Sequence, residues 1–276
     1  MNILEARDIC FSYPDGTSAL NGINFHAGRG EFIGILGGNG SGKTTLLKIL
    51  NSLLKPTGGD VYLEGDNLKS IARDRIFTRV CTMFQNPDDQ LFSPTLREDI
   101  AFGPRNMGLA DNEVAERVEH ALGAVGLSEQ IDKAINALSY GQKKRACLAG
   151  VLAMDPKAIL LDEPTASLDP MGTSSIMHLL KDLNVKKGVT MIMTTHSVDL
   201  VPLFIDRAVV LNLGKVVKDG SPREVFNDTR TLRAANLRLT QIGHLFEILK
   251  KKDFVGIENV PLTIGEARRE IKELLQ

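Results

Sequence analysis

The 276-residue chain has little cysteine, no surplus of either charge and no long apolar run, and each shortage removes a class of protein. Its three cysteines, Cys10, Cys81 and Cys147, stand far apart and form no metal-type or redox pair. They read as reduced thiols of a cytosolic protein, with Cys147 in a helix core. The 33 basic residues are met by 34 acidic ones, so a strongly basic nucleic-acid footprint is absent, local patches aside. No charge-free stretch approaches the roughly 18 apolar residues of a membrane helix. The opening MNILEARDIC has no apolar signal core. The chain is expected not to cross a bilayer, though it can dock on a protein that does. Internal repeats and low-complexity tracts are also missing, and the length suits one or two domains.

What is present alternates. Residues 3–36 read as short strands and turns, with PDG at 14–16 as a turn and EFIGIL at 31–36 as a buried strand. In GGNGSGKTTLLKILNSLL, Leu46, Leu47, Leu50, Leu53 and Leu54 recur at helical spacing, so a glycine loop leads into a helix. KPTGGD at 55–60 is a turn, and VYLEG a strand. From about 95 to 155 the pattern is helical. KAILLDEP and GVTMIMTTH are short apolar strands ending in two acids and in a histidine, and RAVVLNLGKVVKDG reads as two strands around a Gly-Lys turn. Helices return from Pro222 and end in the amphipathic TIGEARREIKELL. The expected fold is α/β: a core with a mainly parallel sheet, an N-terminal antiparallel β subdomain, an inserted helical lobe and a helical C-terminal extension. The expected boundaries are 1–228 for the first domain, with the lobe at about 86–155, and 229–276 for the extension.

Gly37-Gly38-Asn39-Gly40-Ser41-Gly42-Lys43-Thr44 fits G-x-x-x-x-G-K-[ST]. The glycines let the backbone curl until successive N–H groups point into one anion-sized hollow. The following helix adds its positive end. Lys43 would reach the β- and γ-phosphates of a bound nucleotide, and the Thr44 hydroxyl would sit on Mg²⁺. The plain alternative, a glycine turn that caps a helix, lacks a reason for the full pattern between strand and helix. In AILLDE, four apolar residues bury a strand so that Asp162 and Glu163 emerge at its carboxyl end, where ligands bind in open α/β sheets. Asp162 would hold the hydration shell of Mg²⁺. Glu163, one residue on, would orient and deprotonate an attacking water. Alone, such a pair is usually a solvated strand end.

With the loop and the acids on the page, residues 3–228 resemble the ATP-binding subunits of ABC transporters. LSYGQ at 138–142 is similar to the signature usually written LSGGQ. The resemblance implies that Ser139, Gly141 and Gln142 bind the γ-phosphate of an ATP held by a second subunit, identical or paralogous, in a head-to-tail dimer. A helix N-terminus is an anion site on physical grounds, though a serine there is commonly only a cap. Tyr140 departs from the pattern, and its side chain must point away from the phosphate or line the dimer seam. Tyr13 in FSYPDG resembles the aromatic residue on which adenine stacks, and the nucleotide contacts include Thr45 beside the loop. Gln85 in MFQNPDDQLF resembles the glutamine that touches Mg²⁺ and the attacking water. Asp169 in SLDP resembles the residue that crosses the dimer seam, and His196 the histidine on the γ-phosphate. The catalytic set implied is Glu163, His196 and Gln85, and the metal set Thr44, Gln85 and Asp162.

FQNPDDQLFSPTLREDIAFGPRNMGL, DLVPLFIDRAVVLNLGKVVKDGSP and the tail pieces NLRLTQIGHLFEILKKK and PLTIGEARREI are similar to energy-coupling-factor importers, above all the cobalt type. The resemblance implies integral membrane partners, a peripheral place on the cytoplasmic face of the membrane, and a cargo of cobalt, with nickel or a vitamin as alternatives. The tail's Ile264, Ala267, Ile271 and Leu274 recur at helical intervals and need a covering surface, in this chain or another. Three other readings are a soluble ABC ATPase, a small-molecule kinase and a nucleotide switch without hydrolysis. One phosphate loop and no long heptad tract argue against the first. The second leaves LSYGQ and Gln85 unexplained, and the third leaves Glu163 and His196 without work.

Overall fold

The structure is a computed structural model that describes residues 2–253, 257 and 260–275. Met1 and Gln276, the outer ends of the expected domain ranges, lie outside the described residues. The chain opens with β1 (Asn2–Ser12) and β2 (Ser18–Gly28), an antiparallel pair joined through the PDG turn. Next come β3 (Phe32–Leu36) and α1 (Lys43–Leu50). β4 (Gly58–Leu63) and β5 (Asp66–Asn67) return to the first sheet, whose order is β2-β1-β4-β5. This is the expected antiparallel subdomain.

α2 (Arg73–Arg79) and β6 (Val80–Met83) lead into a block of helices, α3 (Leu96–Asn106), α4 (Asp111–Ala124) and α5 (Tyr140–Ala153). The chain re-enters the core with β7 (Ala158–Asp162), α6 (Pro170–Lys187), β8 (Thr190–Thr195), α7 (Val201–Phe204), β9 (Arg207–Asn212) and β10 (Lys215–Gly220). The second sheet runs β10-β9-β3-β8-β7-β6, parallel except at β10. β3, β7 and β8 are buried at every residue, as strands covered on both faces must be, which is why FIGIL and AILL carry no alternation. α8 (Pro222–Asn227), α9 (Thr229–Ala234), α10 (Gln241–Lys252) and α11 (Ile264–Leu274) complete the chain.

The register places the chemistry. Leu36 pairs with Thr195, and Asp162 with Thr194, so β3, β7 and β8 end level at one edge. Whatever follows each strand therefore meets there: the glycine loop, Glu163 and His196. The helical block is self-capped. Thr95 and Glu98 form a capping box on α3, and Ser139 and Gln142 form one on α5.

Two local expectations change, and a third, left open, is decided. α1 stops at Leu50, capped by Asn51, and Ser52 turns to φ 63°, so Leu53 and Leu54 lie beyond the helix. The β9–β10 turn is Leu213-Gly214, both at positive φ (47° and 73°), and Lys215 already belongs to β10. That pair of left-handed residues is what a two-residue hairpin of matching twist demands. In α11 only Ala267 of the four apolar positions is buried, while Ile264, Ile271 and Leu274 are 77%, 47% and 40% exposed.

Candidate active site

The glycine loop between β3 and α1 is shaped by close approach. A Cβ on Gly37 would collide with Ser41 Oγ and Leu211 O. Gly42, at φ 103°, is the N-cap of α1, and a Cβ there would lie 2.6 Å from Ala19 O. Lys43 folds back across the loop: its Nζ donates to Gly37 O and Gly38 O, both at 2.9 Å. Burial pushes the Lys43 ammonium below its ordinary pKa, and Glu163 and Asp162 pull it back up. Ser41 Oγ is buried with no hydrogen-bond partner among the described residues. An orphaned hydroxyl inside a ring of glycine backbone fits an anion that is to be received there.

At the ends of β7 and β8 the polar groups interlock. Asp162 Oδ2 accepts from Thr44 Oγ1 at 2.8 Å, and Oδ1 accepts from Thr194 Oγ1 at 2.6 Å. Thr194 Oγ1 also accepts from the Glu163 backbone N–H at 3.0 Å. Glu163 has φ 44°, a left-handed setting that turns its side chain out of the strand's alternation. Its Oε2 lies 3.1 Å from His196 Nδ1 and accepts from Gln85 Nε2 at 3.4 Å. Hydroxyl, carboxylate and amide oxygens at Thr44, Asp162 and Gln85 are the hard donors that Mg²⁺ takes alongside substrate phosphates and water. These residues fit the ion.

One residue escaped the reading of the sequence. Lys144, on α5, is fully buried. Its Nζ donates to the backbone carbonyl of Gln85 and, at 3.3 Å, to that of Glu163. Burial lowers its pKa, and neighbouring Cys147, Asp162 and Glu163 raise it. Two further ties join the same pieces: Lys143 pairs with Asp88 at 2.6 Å, and Gln90 Nε2 donates to Cys147 O at 3.0 Å. The loop that carries Gln85 is thus fastened to the helix that begins at Ser139. Lys144→Met keeps much of the volume but takes its donor from the part-buried Gln85 carbonyl, while the Glu163 carbonyl keeps the Ala166 N–H at 3.1 Å. It should lower unfolding free energy by about 1–3 kcal/mol, the cost of one unsatisfied acceptor. Urea unfolding of the full chain checks this, and an unchanged midpoint would count against the tie.

A cavity of about 960 Å³ gathers Tyr13, the loop from Gly37 to Thr45, Gln85, Glu163 and His196. Thr17, Ser18 and Ala19 line it beyond Tyr13, and so, unforeseen, do Asn236, Leu237 and Arg238 of the C-terminal extension. Tyr13 is partly exposed, donates to or accepts from Thr45 Oγ1 at 2.9 Å, and stands edge-on to Phe11. Asp162 lies behind Thr44 and lines an adjoining cavity with Thr44 and Gln85. Ser139, Gly141, Gln142 and Asp169 are not among the residues lining the main cavity. Ser139 Oγ caps α5 through Gln142 N at 3.3 Å, and Asp169 caps α6 through Gly172 N at 2.6 Å. Tyr140 is 38% exposed, with Lys144 Nζ 5.9 Å from its ring centre.

A family model described as ABC transporter matches residues 20–166. The energy-coupling factor transporter ATP-binding protein EcfA of Methanococcus maripaludis is 52% identical over 278 residues, covering 100% of this chain and 99% of that protein. EcfA3 of Clostridium perfringens is 45% identical over 271 residues, covering 98% of this chain and 95% of that protein. Among solved structures, cbiO1 of Clostridium perfringens, part of the ABC transporter complex cbiONQ, matches with a TM-score of 0.77 and 44% identity, covering 90% of this chain and 99% of that one. A dimeric ATP-binding cassette bound to ADP and Pi matches with a TM-score of 0.72 and 29% identity, covering 80% of this chain and 99% of that one. Fold and cavity together define a P-loop ATPase. The chain belongs to the ABC transporter family, and within it to the ATP-binding subunits of energy-coupling factor transporters.

Proposed function

We propose that this chain powers the import of a small substrate, cobalt ion, by closing and opening on ATP as one of two subunits beneath a membrane complex. The observation that carries the two-subunit part is the division of the site. Tyr13, the Gly37–Thr45 loop, Gln85, Glu163 and His196 share one cavity, while Ser139, Gly141, Gln142 and Asp169 do not line it. Ser139, Gly141 and Gln142 sit at or next to the start of α5 and Asp169 at that of α6, where backbone N–H groups favour an anion. In this reading each ATP lies between the loop of one subunit and the α5 N-terminus of the other. Residues 1–228 form the nucleotide-binding domain, residues of about 86–155 its lobe, and 229–276 an extension.

Adenine stacks on Tyr13 and the triphosphate follows the loop, with Lys43 and Ser41 on its oxygens. Thr44, Asp162 and Gln85 would hold Mg²⁺, which when bound would neutralise charge that develops on the phosphates. His196 and Gln85 orient the Glu163 carboxylate. Glu163 accepts a proton from water as its oxygen bonds to the γ-phosphorus and the bridge to the β-phosphate breaks.

A membrane partner is supported by an apolar hollow lined in part by Leu53, Phe77, Phe84, Phe92, Phe102 and Met154. Phe92 and Phe102 are 66% and 48% exposed with ring centres 4.8 Å apart, an outlay of surface aromatics that a partner would cover. The ties from Lys143, Lys144 and Gln90 join the Gln85 loop to α5, so motion at either reaches the hollow. No helix of the described residues is long and apolar enough to cross a membrane. The cobalt assignment rests on the resemblance carried by the stretches 84–109 and 199–222.

Vesicles that contain this chain with its membrane subunits should accumulate radioactive cobalt only with MgATP. Uptake of nickel or a vitamin instead would overturn the cargo and keep the transporter. Failure to co-purify any polytopic membrane protein would favour a soluble ABC ATPase.

A further inference from the structure

The C-terminal extension reaches the nucleotide cavity. After α9 the chain runs through a segment in which Asn236 and Arg238 are exposed while Leu237 and Leu239 are buried in the main core. The alternation puts Asn236 and Arg238 on one side, and both line the cavity with the glycine loop, Glu163 and His196. The segment is pressed onto the loop: a Cβ on Gly38 would lie 3.4 Å from both Ala235 O and Asn236 Cβ. Asn236 holds φ 56°, a left-handed setting that asparagine tolerates. Asn212 Nδ2 holds Ala234 O at 3.2 Å on one side. On the other, Asp199 Oδ1 accepts from Gln241 N at 2.7 Å. Asp199 stands three residues after His196, so the segment is strung between the phosphate loop and the histidine loop.

Arg238 pairs with Asp199 only loosely, at 3.7 Å, with its side chain 70% exposed. Such an exposed pair contributes little, and the guanidinium can leave it for a better anion. The cavity offers one. It is lined by the hydrogen-bonded pair Tyr13 and Thr45 and by the cluster of Gln85, Glu163 and His196; in the reading above, with adenine on Tyr13 and Glu163 beside the attacked γ-phosphorus, the terminal phosphate lies by the histidine. We infer that Arg238 is a nucleotide contact supplied by the extension, which exchanges Asp199 for the γ-phosphate and so distinguishes ATP from ADP. Asn236 sets the turn that aims it. The inference rests on the ATP-site reading above and deepens it: occupancy of the site is registered by the extension as well as by the core.

The test is calorimetric titration of the full chain, kept dilute enough to be monomeric, with Mg-ADP and the non-hydrolysable Mg-AMP-PNP. Arg238→Gln should weaken AMP-PNP binding about 10-fold, as loss of one charge-assisted hydrogen bond does, and leave ADP within about 2-fold on the same scale. Arg238→Lys should recover most of the loss. Equal weakening of both nucleotides would mean that the segment only braces the loop, and unchanged AMP-PNP binding would mean no contact; either overturns the inference. So would an effect seen only at concentrations where dimers form, which would move the contact to the partner copy. Lys43→Ala run beside them separates the two levels: if it binds both nucleotides normally, the site itself has been misplaced.

Discussion

Glu163→Gln should leave MgATP binding within a few-fold of the parent and cut turnover by about 10²–10⁴, the usual worth of a positioned base. The substitution keeps shape and hydrogen-bond capacity, so Gln85 and His196 retain a partner at the 3.4 Å and 3.1 Å positions. The backbone of residue 163 keeps its bonds to Thr194 Oγ1 and Lys144 Nζ. What is lost is the carboxylate that accepts the proton. Phosphate release by the assembled complex at saturating MgATP measures this, with binding scored in parallel. Turnover near that of the parent would remove Glu163 from the role.

Lys43→Ala acts one step earlier. Lys43 Nζ is held by the carbonyls of Gly37 and Gly38, with its charge partly offset by Asp162 and Glu163. Those carbonyls position the ammonium over the hollow before any phosphate arrives, so binding needs little rearrangement. Removing it deletes the cation that meets the β- and γ-oxygens. Hydrogen bonds to charged groups are worth roughly 1.5–3 kcal/mol each, and about 1.4 kcal/mol is tenfold in affinity. MgATP binding should therefore weaken at least about 10-fold and up to about 10²-fold per bond lost. Equilibrium titration with a fluorescent nucleotide checks it.

Much of the site was legible because it depends on local chain chemistry. A strand, a glycine loop and a helix N-terminus lie in succession at residues 32–50, and the loop's shape follows from which residues lack a Cβ. The strand ends at Asp162 and Thr195 were legible too, because apolar runs stop abruptly at polar residues. That these ends come level followed from the parallel sheet, not from spacing along the chain. Lys144 was not legible. It is one of three consecutive basic residues, 143–145, and only the packing of α5 against the Gln85 loop decides which is buried. Arg238 was hidden for a similar reason: its place depends on Leu237 and Leu239 finding the core. The early end of α1 reflects Asn51 and Ser52, whose turn chemistry outweighed the leucine spacing. The exposed Ile264, Ile271 and Leu274 show the reverse case, an apolar stripe foreseen correctly and left uncovered for the most part by this chain.

The central claim is that one chain carries two unlike halves of an ATP site and that two chains complete it. Light scattering of the full-length Glu163→Gln chain, with and without MgATP, tests this most directly. The account predicts a monomer without nucleotide and a dimer with it, and return to monomer when Ser139→Arg is added, since that side chain would fill the α5 anion site. A Glu163→Gln chain that binds MgATP yet remains a single copy, alone at high concentration and within its membrane complex, would contradict it.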